Sequence, residues 1–232
     1  MTEQAATVSQ TEPGNAADQL TEFDKPTFAG ASPATSIAVS QFDAAYRAKP
    51  PWDIDGPQPA FARLLQAGLI HGRVLDIGCG TGENALHFAS RGLDVTGLDA
   101  SAVAIGQAQA KARQRQLPAR FVCGNARQLS ALGETFDTVT DSGLLHVLSD
   151  HDIQQVIRGV HAVLRPSGHY WLLCFSEHAT APGPRRLTKQ DINTLFSQGW
   201  EIKDVQPASF EPVPGRGMEP ETASWLVGIE RR

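Results

Sequence analysis

The chain has 232 residues, of which 41% are hydrophobic, with 20 basic against 25 acidic residues. This length supports one substantial core, and a second full domain would leave little sequence for the first. The formal net charge of −5 provides no basic surface for neutralising phosphates, so we expect a small-molecule substrate and no nucleic-acid partner.

Residues 1–35 are rich in Thr, Ala, Gln, Glu, Pro and Gly and contain few large apolar side chains. They cannot bury enough surface to offset the entropy of ordering, so we predict a disordered tail followed by one domain over residues 36–232. Helical patterns extend over residues 36–46 and 59–70, with a break at Pro50-Pro51 between them.

Short β-branched runs then alternate with helical patterns. Strands are predicted over 73–77, 93–98, 120–123, 135–140 and 169–175, and helices over 83–90, 102–116 and 152–164. This alternation predicts an α/β fold of the Rossmann-like, doubly wound kind with a mostly parallel sheet. After a helix over 188–197, the strand-like runs 200–210 and 223–230 follow each other directly, which predicts a C-terminal antiparallel pair.

The first predicted strand ends in a glycine-rich loop, Asp76-Ile77-Gly78-Cys79-Gly80-Thr81-Gly82. Glycine at a strand-to-helix turn permits positive φ and close approach of the backbone to a ligand, although an ordinary tight turn has the same composition. A dinucleotide fingerprint requires glycine where Glu83 stands, and Asp76 would repel a pyrophosphate. S-adenosylmethionine carries an ammonium group and no phosphate, so an acidic residue beside exposed loop amides suits this cofactor better than NAD or FAD.

Two further strand ends supply candidate cofactor contacts. Asp99, followed by Ala100, ends the second strand and can accept hydrogen bonds from both ribose hydroxyls; alternatively it caps the next helix, a role for which Ser101 also competes. Asn125 and Ala126 follow the third strand, where a polar side chain and a backbone amide can contact the adenine edge.

This ordered set of motifs resembles the class I S-adenosylmethionine-dependent methyltransferases over about residues 40–232. The family usually has Asp where this chain has Asn125, whose oxygen can still accept from the adenine amino group. Residues 42–59, which we call the lead-in, resemble the thiopurine, halide and thiol methyltransferase branch. Their "FxxAYR…PPW" pattern, together with the "DIGCG" loop and the later "DSxLxH", resembles the bacterial heterocyclic toxin methyltransferases more closely still. That resemblance implies that Trp52 packs near the sulfonium and that Phe42 and Tyr46 line the methyl-transfer site, whereas simple packing of an N-terminal helix is the alternative.

The segment Asp141-Ser142-Gly143-Leu144-Leu145-His146 follows the fourth strand, at the sheet edge where open α/β folds bind ligands. His146 is therefore a candidate general base, with Asp141 orienting it or stabilising its cation. Alternatively, His146 fills space beside the cofactor and Asp141 contacts the methionine ammonium. Two Pro- and Gly-rich stretches, 181–184 and 212–220 with Arg216 and Met218, either border this pocket or form solvent-facing loops.

The cysteines at 79, 123 and 174 are too widely spaced for a disulfide framework or a thiolate metal site, and the histidines have no partners at ligand spacing, so no metal is expected. Neither a signal-like start nor an apolar run of 18 residues is present, which favours a cytoplasmic protein without a membrane span.

The resulting hypothesis is S-adenosylmethionine-dependent methyl transfer to an O or N nucleophile of a small, hydrophobic aromatic or heterocyclic molecule, such as a hydroxyquinolone or a phenol, with detoxification as the expected role. The alternatives are a thiol or halide acceptor, a regulatory or scaffold protein that binds the cofactor without turnover, and a nicotinamide-dependent oxidoreductase, which Asp76 and Glu83 disfavour.

Overall fold

The computed structural model describes residues 38–180, 183–215 and 222–232; the predicted tail lies outside them. The strands are β1 (Arg73–Ile77), β2 (Asp94–Asp99), β3 (Arg120–Cys123), β4 (Phe136–Ser142), β5 (Leu164–Phe175), β6 (Trp200–Phe210) and β7 (Thr222–Arg231). The helices are α1 (Val39–Arg47), α2 (Pro59–Gln66), α3 (Glu83–Ala89), α4 (Ala102–Arg115), α5 (Asp150–Val163) and α6 (Lys189–Leu195). Two 3₁₀ segments, Ala126–Leu132 and Leu145–Val147, follow β3 and β4.

The strands form a single sheet in the order β3-β2-β1-β4-β5-β7-β6. Strands β1 to β5 pair in parallel, whereas β7 is antiparallel to both of its neighbours, β5 and β6. Parallel neighbours need crossover connections, which α3, α4 and α5 supply. The predicted Rossmann-like, mostly parallel sheet with a C-terminal antiparallel pair is confirmed.

Helices cover both faces of the sheet and form a hydrophobic core on each side. Ile153 and Val156 of α5 pack in one core, and Phe61 of α2 and Phe88 of α3 pack in the other. We call these sides the α5 face and the α3 face. Successive side chains of a strand point to opposite faces, so Tyr170 of β5 belongs to the α5 face and Phe175 belongs to the α3 face. Polar side chains on opposite faces of the sheet therefore cannot contact each other directly.

Several predicted boundaries shift by one or more residues, and the two largest shifts have local causes. The helix predicted over 59–70 ends at Gln66 as α2, because Gly68 adopts a left-handed conformation (φ 72°) just beyond the helix end. The strand predicted over 169–175 begins earlier, at Leu164, as β5. The register of its pairing with β4 shifts between Leu164 and His169, and the positive φ of Ser167 (60°) lies within this irregular stretch. Residues before and after the irregularity can therefore both pair with β4.

The functional edge of the sheet is the one where β1, β2, β4 and β5 end. The antiparallel pairs Phe175↔Ser224 and Phe210↔Thr222 bring the end of β6 to this same edge. Residues that follow five different strands therefore meet in one region, which is where open α/β sheets bind ligands.

Candidate active site

The glycine-rich loop after β1 turns sharply through backbone conformations that favour glycine. Gly78 and Gly80 have φ values of 64° and 54°. A Cβ at Gly78 would stand 2.8 Å from the Cβ of Leu144, and one at Gly80 would stand 2.8 Å from the hydroxyl of Tyr46. The Cys79 amide donates to the carbonyl of Leu98 at 3.1 Å. The loop is therefore held against β2 on one side and covered by a lead-in residue on the other.

Asp76 presents a buried carboxyl group beneath this loop. Its Oδ1 accepts a hydrogen bond from the Thr140 hydroxyl at 2.7 Å, whereas its Oδ2 is buried and finds no hydrogen-bond partner among the described residues. Burial raises the pKa of Asp76 to about 7, against the lowering effects of the Thr140 hydroxyl and of the Ala85 backbone amide. An unsatisfied buried oxygen is costly, and an ammonium group would supply the missing donor. The residue therefore fits the amino group of S-adenosylmethionine.

Asp99 at the end of β2 connects the loop to the neighbouring strand. Its Oδ2 accepts from the Gly80 amide at 2.9 Å and its Oδ1 accepts from the Ser101 amide at 2.8 Å. The cap of α4 is Ser101, whose hydroxyl accepts from the Ala104 amide at 3.1 Å. Asp99 is therefore not needed as a helix cap, and each of its oxygens has a further lone pair for a ribose hydroxyl. Burial raises its pKa.

The end of β3 joins this region through the backbone. The Gly124 amide donates to the Asp99 carbonyl at 2.9 Å, and the Cys123 thiol contacts the carbonyl of Ala100 at 3.6 Å. Asn125 caps the 3₁₀ segment that begins at Ala126. Its Oδ1 accepts from the backbone amide and from the Nε of Arg127, at 3.0 and 3.2 Å.

These bonds engage both lone pairs of the Asn125 side-chain oxygen. The predicted acceptance from the adenine amino group would have to replace one of them. A backbone contact at Ala126 remains the simpler prediction for adenine.

The aromatic residues of the lead-in lie together over the glycine loop. The ring of Trp52 packs edge-on against Phe42 and Tyr46, with centroid separations of 6.4 and 6.5 Å. The Trp52 Nε1 donates to the Tyr46 hydroxyl at 3.3 Å, and that hydroxyl is the group beside Gly80. Trp52 is 41% exposed, so it is a surface residue rather than part of a closed core.

Polar contacts fasten this lead-in to α4 and to the loop. The Asp43 carboxylate accepts from the Ser101 hydroxyl at 2.5 Å, and the Asp53 carboxylate accepts from the Thr81 hydroxyl. The Gln107 side chain donates to the carbonyl of Tyr46 at 3.0 Å. Sequence patterns did not indicate these contacts, because each joins residues that are at least 28 positions apart.

The residues that follow β6 form hydrogen bonds with the end of the lead-in. Gln58 and Glu211 form a reciprocal pair, in which the Gln58 side chain donates to the Glu211 carbonyl at 3.0 Å and accepts from the Glu211 amide at 2.9 Å. The Val213 amide donates to the carbonyl of Pro51 at 2.7 Å. The Pro-rich lead-in and the start of the predicted pocket-bordering loop are therefore bound to each other directly.

His146 lies in the 3₁₀ segment after β4, and its ring packs against two phenylalanines. The centroids of Phe175 and Phe210 stand 4.6 and 5.7 Å from the imidazole, and 5.1 Å from each other. We call these three residues the aromatic cluster. The Phe175 amide donates to His146 Nδ1 at 3.1 Å. Burial, together with the nearby Arg186 cation, lowers the pKa of His146 to about 3, so the ring is neutral at physiological pH.

Asp141 is buried at the end of β4 and its carboxylate is engaged elsewhere. It accepts from the Leu144 amide at 2.8 Å, from the Leu145 amide at 3.2 Å and from the Tyr170 hydroxyl at 2.9 Å. Burial raises its pKa to about 7. The prediction that Asp141 orients His146 is corrected: its partner Tyr170 belongs to the α5 face, whereas the imidazole packs on Phe175 of the α3 face. Asp141 instead shapes the turn that presents His146.

Sequence reasoning did not indicate that Phe175 and Phe210 contact His146. Both are the last residues of predicted strands, and the end of a strand at the ligand edge was a usable signal for Phe175. Phe210 required knowledge that β7 inserts between β5 and β6. Glu83, which argued against a dinucleotide, forms ion pairs with Lys111 and Arg115, each at 2.8 Å.

Arg216 and Met218, predicted to border the pocket, lie outside the described residues, as do Ala181 and Pro182. Within the described ranges, no helix has the length and apolar character needed to cross a bilayer. The same ranges contain no group of three or more His, Cys, Asp or Glu side chains arranged to hold a metal ion.

Comparisons with known proteins agree with this geometry. Residues 74–168 match the model of a methyltransferase domain family. The 2-heptyl-1-hydroxyquinolin-4(1H)-one methyltransferase of Mycobacteroides abscessus is 31% identical over 186 residues, which cover 75% of this chain and 82% of that protein. The probable thiol methyltransferase 2 of Arabidopsis thaliana is 29% identical over 181 residues, covering 73% of this chain and 76% of that protein.

A similar solved structure comes from work on the conversion of a disulfide bond into a thioacetal group during echinomycin biosynthesis. It superposes with a TM-score of 0.76 at 36% identity, covering 84% of this chain and 93% of the other. The sheet order, the glycine loop with its unpaired Asp76 oxygen, and these relatives lead to one conclusion. The chain belongs to the class I S-adenosylmethionine-dependent methyltransferases, and S-adenosyl-L-methionine is its cofactor.

Proposed function

We propose that this enzyme methylates an O or N nucleophile of a small, hydrophobic heteroaromatic molecule, such as a hydroxyquinolone, or of a phenol. The observation that carries the proposal is the aromatic cluster of His146, Phe175 and Phe210 at the same sheet edge as the glycine loop. Aromatic faces bind a flat apolar ring by area burial and by ring–ring contact. The relative from Mycobacteroides abscessus, whose name specifies a hydroxyquinolone, supports this substrate class.

S-adenosylmethionine, when bound, supplies a methyl group on a positively charged sulfur. Asp76 would hold its ammonium group, and Asp99 would accept from its ribose hydroxyls. The Trp52 and Tyr46 rings would cover the glycine loop beside the transfer site. Attack by the acceptor neutralises charge rather than creating it, so these residues act mainly by holding the nucleophile in line with the methyl group.

One spectrophotometric assay of S-adenosylhomocysteine release, run with hydroxyquinolones, phenols, thiols and iodide, tests the proposal. We expect the highest kcat/KM for a hydroxylated heteroaromatic acceptor. The matched variants are Phe210→Leu, which removes one ring of the aromatic cluster, and the exposed His151→Asn as a control. Phe210→Leu should raise the KM of the acceptor severalfold and leave the KM of the cofactor unchanged. Preference for thiols or iodide over all aromatic hydroxyls would refute the proposal.

Sulfur is the second candidate nucleophile. Both the probable thiol methyltransferase 2 of Arabidopsis thaliana and the solved structure from work on the conversion of a disulfide bond into a thioacetal group are similar to this chain. A thiolate needs no proton acceptor and little ring contact, so it predicts a different response: Phe210→Leu would then leave the KM of the acceptor nearly unchanged. The same assay therefore separates the two candidates.

A further inference from the structure

We propose that His146 donates a hydrogen bond through its Nε2–H to the acceptor and does not act as a general base. The enzyme would then select acceptors that bind as oxyanions. This inference rests on the proposed function for the identity of the acceptor, and it rests on the surroundings of His146 for the role of the imidazole.

The position of the proton on His146 follows from its one backbone contact. The Phe175 amide can only donate, so Nδ1 must offer its lone pair in the bond at 3.1 Å. A neutral imidazole has one N–H and one lone pair, and the proton therefore sits on Nε2. Among the described residues, no hydrogen bond reaches Nε2.

A base would require a free imidazole lone pair, and this ring has none to offer. Turning the ring over to expose Nδ1 would leave the Phe175 amide buried and unpaired, which costs the desolvation of that group. The ring is also packed between Phe175 and Phe210, and Nε2 lies close to Gly143, where a Cβ would stand 3.1 Å away. Packing therefore holds the imidazole in the donor orientation.

The charges around the aromatic cluster favour an anion. Arg186 is the cation that acts on His146, and its guanidinium stands over the Phe175 ring, 5.9 Å from the centroid. Its Nη1 donates to the carbonyl oxygen of Gly183 at 3.0 Å, which holds the side chain in place. The nearest buried carboxyl on β4, Asp141, is bonded to Tyr170 on the opposite face. Among the described residues, Arg186 is therefore the charged group that acts on the imidazole, and its positive charge favours an anion there.

The reaction then needs no proton transfer at the enzyme. The acceptor hydroxyl or N-hydroxy group loses its proton to solvent before attack. A lone pair of the oxyanion forms the new bond to the methyl carbon while the carbon–sulfur bond breaks, and that electron pair stays on sulfur, which becomes neutral. A hydrogen bond from Nε2–H stabilises the ionised acceptor and lowers its pKa in the site. Aliphatic alcohols, which do not ionise near neutral pH, would be excluded.

Two variants separate the two nitrogens of His146. His146→Asn places an acceptor where Nδ1 meets the Phe175 amide but removes the donor at Nε2, whereas His146→Gln extends an amide N–H to the Nε2 position. For a donor, His146→Asn should lose about tenfold in kcat/KM, the value of one hydrogen bond to a charged group, whereas His146→Gln should retain more activity because it keeps the donor, although it leaves the Phe175 amide without its Nδ1 acceptor and so should lower thermal stability. For a base, both variants should lose about 10²–10⁴-fold, most of all with the least acidic acceptor.

The pH profile provides a second readout that packing alone would not move. In a series of hydroxylated heteroaromatics of differing acidity, the rise of kcat/KM with pH should follow the pKa of each acceptor. The ultraviolet spectrum of the acceptor bound with S-adenosylhomocysteine should show its pKa lowered by wild type and by His146→Gln, but not by His146→Asn. A rise fixed at one enzyme pKa across the series would overturn the proposal, and His151→Asn serves as the control.

The tautomer can be tested without any acceptor. Long-range ¹H–¹⁵N correlation spectra of the full chain, with ¹⁵N-labelled histidine and bound S-adenosylhomocysteine, should show a protonated Nε2 and an unprotonated Nδ1 at neutral pH. A protonated Nδ1, or a cationic ring, would overturn the inference whatever the substrate is. A correct tautomer together with no turnover of any aromatic hydroxyl would instead refute the proposed function.

Discussion

The proposed cofactor side and the proposed acceptor side of this active site are built in different ways. The glycine loop, Asp76 and Asp99 lie within 24 residues of one another and are held mainly by backbone geometry and adjacent strands. The aromatic cluster and the contacts that close it come from residues 51–58, 146, 175 and 210–213. A compact, backbone-defined part can bind one constant ligand. A part assembled from distant side chains can change its ligand specificity through single substitutions.

Removal of the Asp76 carboxylate should have the largest effect and should act on the cofactor side alone. Asp76→Ala deletes both the charge and the hydrogen bond to an ammonium group, so the Kd for S-adenosylhomocysteine should rise about 100-fold. Calorimetric titration measures this change. Asp76→Asn, which keeps the acceptor for Thr140, should lie between wild type and Asp76→Ala, and the surface variant Glu201→Gln should behave as wild type. Equal Kd values for all four proteins would remove Asp76 from the cofactor site.

The pH dependence of cofactor binding should follow the same carboxyl group. Because burial raises the pKa of Asp76 to about 7, the group is protonated and neutral below that pH and charged above it. Affinity for S-adenosylhomocysteine should therefore fall as the pH is lowered below about 7, by up to about tenfold per pH unit until the pKa of the bound state is reached.

Asp141 has a similarly raised pKa, and that of Asp99 is also raised, so the variant Asp76→Asn is the necessary control. Its affinity should vary much less between pH 5 and 8. If the pH dependence persists unchanged in Asp76→Asn, another of these carboxyl groups is responsible.

Gly80→Ala tests whether the loop needs glycine for its backbone or for the Tyr46 contact. A left-handed Ala costs about 1–2 kcal/mol of the free energy of unfolding. Gly133→Ala is a matched control, because Gly133 has φ 65° with nothing within 4 Å of a Cβ. Both variants should lose similar stability in thermal denaturation.

Only Gly80→Ala should also weaken S-adenosylhomocysteine binding, by about tenfold, since its methyl group would displace the Tyr46 hydroxyl that stands 2.8 Å away. If the double variant Gly80→Ala/Tyr46→Phe binds no better than Gly80→Ala, the contact with Tyr46 is not the cause.

The smallest effect is expected on the acceptor side, from Gln58→Ala. This change removes both hydrogen bonds to Glu211 and loosens the connection between the lead-in and the chain after β6. The KM of the acceptor should rise about three- to tenfold while the Kd for S-adenosylhomocysteine stays within twofold. Gln190→Ala, on the exposed side of α6, is the control. A larger change in the cofactor Kd than in the acceptor KM would mean that the two sides are not separable.

The sequence predicts the cofactor side more completely than the acceptor side for a physical reason. Alternation of strands and helices, Gly78 and Gly80 at a turn, and acids at strand ends are local signals, and the structure places each where expected. The pairing of Asp141 with His146 was predicted from their proximity in sequence. It is wrong because side chains alternate between the two faces along β4, and Asp141 points to the α5 face, where it binds Tyr170. Phe210 and Gln58 enter the site only through the sheet order and through contacts across 153 positions.

The antiparallel insertion of β7 gives the acceptor side a particular evolutionary freedom. Because β7 lies between β5 and β6, the chain between Phe210 and Thr222 is the connection of a β-hairpin at the edge of the site. Insertions in such a connection cost little loop-closure entropy and leave the register of every parallel strand unchanged. New acceptor preferences can therefore arise by lengthening or shortening this one hairpin, while the inherited machinery for the cofactor remains untouched.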